Sequence, residues 1–120
     1  MMFDVEFYIK SNVRIPVQDF LYSLEPKLRA KAFMEIKLLY TMGDTLREPY
    51  VKPIAGKKNK GLFELRVMFS NDAARIFYFT YDHNKCILLH GFIKKTMKTP
   101  RKEIERARKY MEDYIRRSGL

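Results

Sequence analysis

The sequence predicts an α+β domain with one sheet, and three features carry that prediction. Residues 3–10 alternate apolar and polar side chains, the period of a strand with one buried face. Two apolar stripes at helical spacing follow, each led by a proline. Beyond residue 61, three strand-length runs are separated by turn-forming residues and followed by one more helical pattern. The expected order is strand, helix, helix, loop, three strands, helix, in a single domain spanning residues 1–120.

In the first strand, Phe3, Val5, Phe7 and Ile9 form the apolar face and Asp4, Glu6, Tyr8 and Lys10 the polar one. Pro16 suits the first turn of a helix whose buried positions are Val17, Phe20, Leu21 and Leu24. Pro26 ends that helix and begins another. Its stripe is Leu28, Ala32, Ile36 and Leu39, broadened by Phe33 and Tyr40, and Gly43 stops it. Residues 44–61 read as irregular and basic, with YVKPI at most a strand fragment and GKKNKG a mobile loop. FELRVMF, ARIFYFTYD and KCILLHGFI then make an antiparallel meander turned at SNDA and DHNK. The last helix starts with Thr99 as N-cap and Pro100 at its first position, and buries Ile104, Ala107, Met111 and either Tyr114 or Ile115.

Charge points to the class of partner. A surplus of 24 Lys and Arg over 14 Asp and Glu gives a net charge of +10, which favours polyanions such as nucleic acid, phospholipid headgroups or an acidic protein. Cys86 is the single cysteine, so no internal disulfide can form and a reducing cytoplasm is expected. With only His83 and His90 beside it, no zinc-site spacing emerges, and neither a metal nor a cofactor is expected. The first ten residues lack the pattern of a signal peptide, and no run reaches the length of about 20 apolar residues that spans a bilayer, so no membrane partner is expected.

Two-residue loops at Asn71–Asp72 and His83–Asn84 register the hairpins and sort the side chains by face. Phe63, Leu65, Val67, Phe69, Ile76, Tyr78, Ile87, Leu89 and Ile93 share an apolar face suited to carrying helices. Glu64, Arg66, Met68, Arg75, Phe77, Phe79, Tyr81, Leu88, His90, Phe92 and Lys94 share the other. Cations among aromatic rings suit a polyanion with flat bases, because rings stack bases at about 1 to 3 kcal/mol each. The same residues also read more plainly, Glu64 as an ion-pair partner of Arg66 or Arg75 and Phe77 and Phe79 as a second small core. Arg101 and Lys102 add cations to the first turn of the last helix, where each costs about 0.3 to 1 kcal/mol, a cost offset either by bound phosphate or by solvent screening with Glu103 and Glu105 nearby.

GLFELR at 61–66, ARIFYF at 74–79 and above all LLHGFIKKTMKTPRKEIERARKYMEDY at 88–114 resemble phage-derived, HigB-like members of the RelE superfamily of toxin–antitoxin modules. That resemblance implies a RelE-like fold with a small mixed or antiparallel sheet, the two early helices packed on it, and a mobile C-terminal helix. It implies a cytoplasmic, metal-independent mRNA endoribonuclease that works in the ribosomal A site and is inhibited by a cognate helix-turn-helix antitoxin. In such toxins the 2′-hydroxyl attacks the adjacent phosphate, which needs a base, cations for the phosphorane and an acid or charge stabiliser at the leaving oxygen. Carried onto this chain, the expected catalytic residues are Glu64, a candidate base where better-known relatives carry a Lys, Arg66 and Arg75 at the phosphate, Lys94 of the basic pair after the last strand, and His90 as acid, earlier in the chain than the His or Tyr of several relatives. Lys52, Lys95, Lys98, Arg101 and Phe77 are the expected RNA-binding residues. The family's late catalytic tyrosine has no match, since Met97 to Arg101 contain none. A non-catalytic RNA- or ribosome-binding inhibitor is the alternative, and a protein that binds only an acidic partner chain is a third.

Overall fold

In the computed structural model, which describes residues 3–119, the chain runs β1 (Asp4–Phe7), α1 (Pro16–Ser23), α2 (Pro26–Met42), β2 (Val51–Pro53), β3 (Leu62–Phe69), β4 (Asp72–Tyr81), β5 (Lys85–Ile93) and α3 (Arg101–Ser118). The five strands form one mixed sheet in the order β1-β5-β4-β3-β2. β1 lies parallel to β5, and every other neighbouring pair is antiparallel. The α+β class and the element order therefore match the sequence reading, and YVKPI supplies the short edge strand β2. GKKNKG carries a single 3-10 turn, Lys57–Asn59, and the Asn59 side-chain amide donates to Ala55 O at 2.8 Å.

Both sheet faces are covered. α1 and α2 bury Val17, Leu21, Leu28, Ala32 and Leu39 against Leu65, Val67, Ile76, Tyr78, Cys86 and Leu88. α3 buries Ala107 and Met111 on the opposite face, against Phe77, Phe79, Ile87, Leu89 and Phe92. The expectation of an open aromatic face is thus corrected. An apolar stripe of Ile104, Ala107, Met111 and Tyr114 needs apolar surface to cover, and the central strands offer it on both sides. Tyr114, not the exposed Ile115, continues that stripe.

The hairpin turns differ from those expected, and the differences decide the faces. The first loop is Ser70–Asn71, with Ser70 at φ 56°, so Phe69 pairs with Asp72 and Arg66 with Arg75. This moves the register by two and leaves every residue on its expected face. The second loop holds three residues, with Asp82 and His83 both at positive φ, so Tyr81 pairs with Lys85 and Phe79 with Ile87. A bulge at Leu89 then restores the expected pairing at Phe77 and His90. Ile87 and Leu89 consequently point towards α3, and Leu88 towards α1 and α2, the reverse of the sequence assignment.

β1 is shorter than residues 3–10, and beyond the exposed Asp4 its residues are half-buried. Val5 and Phe7 pack towards the first two helices, while Tyr8, 3% exposed, stacks on Tyr110 of α3 at 4.8 Å between ring centroids. Ile9 is exposed, since the strand ends at Phe7. The Tyr8 hydroxyl donates to Asp113 at 2.6 Å, Tyr114 donates to Glu6 at 3.1 Å, and Arg117 donates to Ile9 O at 2.6 Å, so the C-terminal half of α3 is tied to β1 and the two residues that follow it.

β5 meets α1 at Gly91, where a Cβ atom would lie 2.3 Å from the Phe20 ring. Gly91→Ala is therefore expected to cost about 1 to 3 kcal/mol through overpacking, read as a lowered urea midpoint with an unchanged denaturant slope.

Candidate nucleic-acid interface

The strand pairing of β3 with β4 and the start of α3 assemble a polar group at one end of the sheet. Glu64 on β3 stands diagonally across from Arg75 on β4, with Arg75 Nε 3.7 Å from Glu64 Oε2. The other carboxylate oxygen accepts from Thr99 Oγ1 at 2.8 Å. Glu64 is 2% exposed, so this carboxylate is held by a hydroxyl and a guanidinium from two other parts of the chain. Thr99 was expected to cap α3. Its hydroxyl serves Glu64 instead, and Pro100 occupies the N-cap position without a side-chain hydrogen bond.

In front of Glu64 lies a cleft of about 290 Å³. Lys52 from β2, Arg66 from β3, and Lys94 and Lys98 from the segment after β5 line it together with Glu64 and Thr99. β5 delivers Lys94 to this place because the Lys94 amide continues the ladder, donating to Ala73 O at 2.8 Å. Burial lowers the Lys94 pKa, the nearby Arg75 guanidinium lowers it further, Glu64 opposes, and Arg66 and Lys52 add smaller repulsions. The cleft thus concentrates positive charge around one carboxylate, an arrangement able to bind a phosphodiester and take a proton beside it.

The other expected residues are placed differently. Arg75 is 3% exposed and does not line the cleft; its Nη1 donates to Ala74 O at 3.0 Å, and its Nε has no hydrogen-bond partner among the described residues. Arg75 stands behind Glu64, buried away from the cleft where direct phosphate contact was expected. Phe77 is 0% exposed, stacked on Phe92 at 5.5 Å, and with α3 docked its ring cannot meet a base. Lys95 is exposed and outside the cleft, and Arg101 faces a neighbouring one.

His90 is also withdrawn from the cleft. It is 9% exposed beneath α3, beside Phe77 and Phe92, with Nε2 2.8 Å from Glu103 Oε1. Burial lowers its pKa below the usual 6.5, and the hydrogen bond to Glu103 works in the opposite direction. Because the unfolded chain then takes the proton first, the contribution of His90 to stability is complete above about pH 6.5 and is lost as pH falls below it. His90→Gln keeps a donor for Glu103 without titrating. It should lose less stability than wild type between about pH 7 and about pH 5, measured by urea midpoints at each pH.

Thr99 and Glu103 were missed as site-forming residues. Thr99 stands 35 positions from Glu64, and its Thr-Pro sequence reads locally as a helix cap. Glu103 lies in the first helical turn, and only the packing of α3 discloses its partner His90.

A mixed five-stranded sheet between helices, with a basic cleft beside its last helix, defines a small α+β protein whose architecture is consistent with the expected RelE-like fold. Among known proteins, the family of phage derived protein Gp49-like (DUF891) matches residues 19–112, and the chain belongs to that family. The matched segment holds Glu64, Arg66, Arg75, Lys94 and Thr99. No curated protein matches the chain. No described helix is long and apolar enough to cross a membrane.

Proposed function

We propose that this chain is a HigB-like toxin of a toxin–antitoxin module, a ribosome-dependent and metal-independent mRNA endoribonuclease held inactive by a cognate helix-turn-helix antitoxin. The observation that carries this reading is the cleft in which a carboxylate, oriented by Thr99 and Arg75, meets Arg66, Lys94 and Lys52. In the reaction Glu64 takes the proton of a ribose 2′-hydroxyl, the 2′ oxygen bonds to the adjacent phosphorus, and the bond from phosphorus to the 5′ oxygen breaks. Arg66 and Lys52 stabilise the phosphorane, where preorganised cations act without reorganisation. Lys94, made more acidic by burial and by Arg75, gives its proton to the departing 5′ oxygen. The products are a 2′,3′-cyclic phosphate and a 5′-hydroxyl.

Mapping RNA ends in a translating extract tests the proposal. New 5′-hydroxyl ends within translated messages are expected once the protein is added. Arrest of translation without new ends would favour a non-catalytic ribosome-binding inhibitor. One observation supports that alternative: neither histidine nor tyrosine lines the cleft.

A further inference from the structure

A second cleft, of about 490 Å³, opens between the 3-10 turn at Lys57–Asn59 and the first two turns of α3. Lys57 and Lys58 form one side, Arg101 and Arg108 the other, with Glu105 the single carboxylate among its lining residues. Thr99 and Ile104 line both this cleft and the one in front of Glu64, so the two adjoin. Neither is lined by an aromatic ring.

Such a surface offers cations on two sides and no stacking platform. We infer that it is a binding track for single-stranded RNA, in which Lys57, Lys58 and Arg101 hold backbone phosphates beyond the nucleotides seated at Glu64. The inference rests on the proposed RNA chemistry of the first cleft and extends it. Clefts that adjoin at Thr99 and Ile104 suit one extended ligand rather than two small ones, and a polyanion with regularly spaced phosphates matches cations contributed by two separate elements. The absence of rings means that recognition here follows charge, with strong salt dependence and little base preference. It also gives the basic segment GKKNKG a role beyond closing a turn.

Fluorescence anisotropy with 2′-O-methyl oligouridylates, which lack the attacking hydroxyl, separates the two claims. A trimer occupies the first cleft, and a nonamer reaches the second. The nonamer is expected to bind at least about tenfold more tightly than the trimer, because its added contacts are intramolecular. The double variant Lys57→Ala, Lys58→Ala should lose most of that gain, leave trimer binding unchanged, and flatten the nonamer's log–log salt slope by about 1.4, near 0.7 for each lost phosphate contact. A nonamer no tighter than the trimer, or a gain that survives in the double variant, would overturn the track while leaving the first cleft intact. Failure of both lengths to bind would overturn the RNA reading of the first cleft and the track with it.

Discussion

Glu64→Asp is expected to reduce RNA cleavage by about a hundredfold while leaving the protein folded. Aspartate keeps the negative charge beside the buried Arg75 but withdraws the carboxylate by one methylene, and displacements near 1 Å at a reacting group cost about that factor. Glu64→Gln should abolish the base altogether, at a loss of about a hundred- to ten-thousandfold. It also strands a guanidinium that is 3% exposed, at a cost of about 3 to 5 kcal/mol in stability. The aspartate variant is therefore the cleaner measurement, made as end mapping in translating ribosomes beside a urea melt. Thr99→Val removes the hydroxyl that orients the same carboxylate without altering its charge, and should give a partial loss of rate with message binding retained. Wild-type cutting by Glu64→Asp and Glu64→Gln together would remove Glu64 from the chemistry.

Phe77→Ala should lower folding stability by about 3 to 5 kcal/mol, the cost of deleting a buried aromatic ring. The ring is fully buried between β5 and α3, stacked on Phe92 and next to His90, in the core that Ala107 and Met111 complete. Denaturant unfolding measures the effect, and Phe77→Leu should restore most of the loss because it refills most of the volume. A base-stacking role makes the opposite prediction. Phe77→Ala would then fold almost as well as wild type and weaken RNA binding by about 1 to 3 kcal/mol.

The placement of Phe77 illustrates where the sequence was legible. Periodicity in β1, the proline-led helices and the turn residues gave the element order, because each is a local property of the chain. Two-residue alternation on β3 and β4 put Glu64, Arg66 and Arg75 on one face, and a register shift of two left that grouping unchanged. The β4–β5 hairpin was less forgiving. A three-residue loop moved Ile87, Leu88 and Leu89 to the opposite faces, and the bulge at Leu89 returned His90, Phe92 and Lys94 to the expected side. A bulge depends on packing from both sides of the sheet, and nothing in KCILLHGFI marks it locally.

The charged residues tell a similar story. Lys94 and Arg66 meet as expected because Arg66 sits on β3 and Lys94 directly follows β5, strands whose pairing is set by hydrophobic pattern. Arg75 and His90 share that face, yet both are sealed from the cleft, Arg75 behind Glu64 and His90 beneath α3. Exposure is not a property of a strand face alone; it depends on what is laid across it. Here that is an 18-residue helix anchored through Asp113, Tyr114 and Arg117 at one end and through Thr99 and Glu103 at the other.

By itself the sequence determined the α+β class, the order of elements, the basic character and the side of the sheet on which the charged residues gather. These follow from side-chain periodicity and charge, which act over a few residues. Tertiary structure decided which of those residues reach solvent. It pinned Glu64 between Thr99 and Arg75, withdrew His90 and Phe77 under α3, and joined the GKKNKG turn to the start of that helix. Each outcome depends on burying apolar surface between segments far apart in the chain, an energy that no local pattern contains.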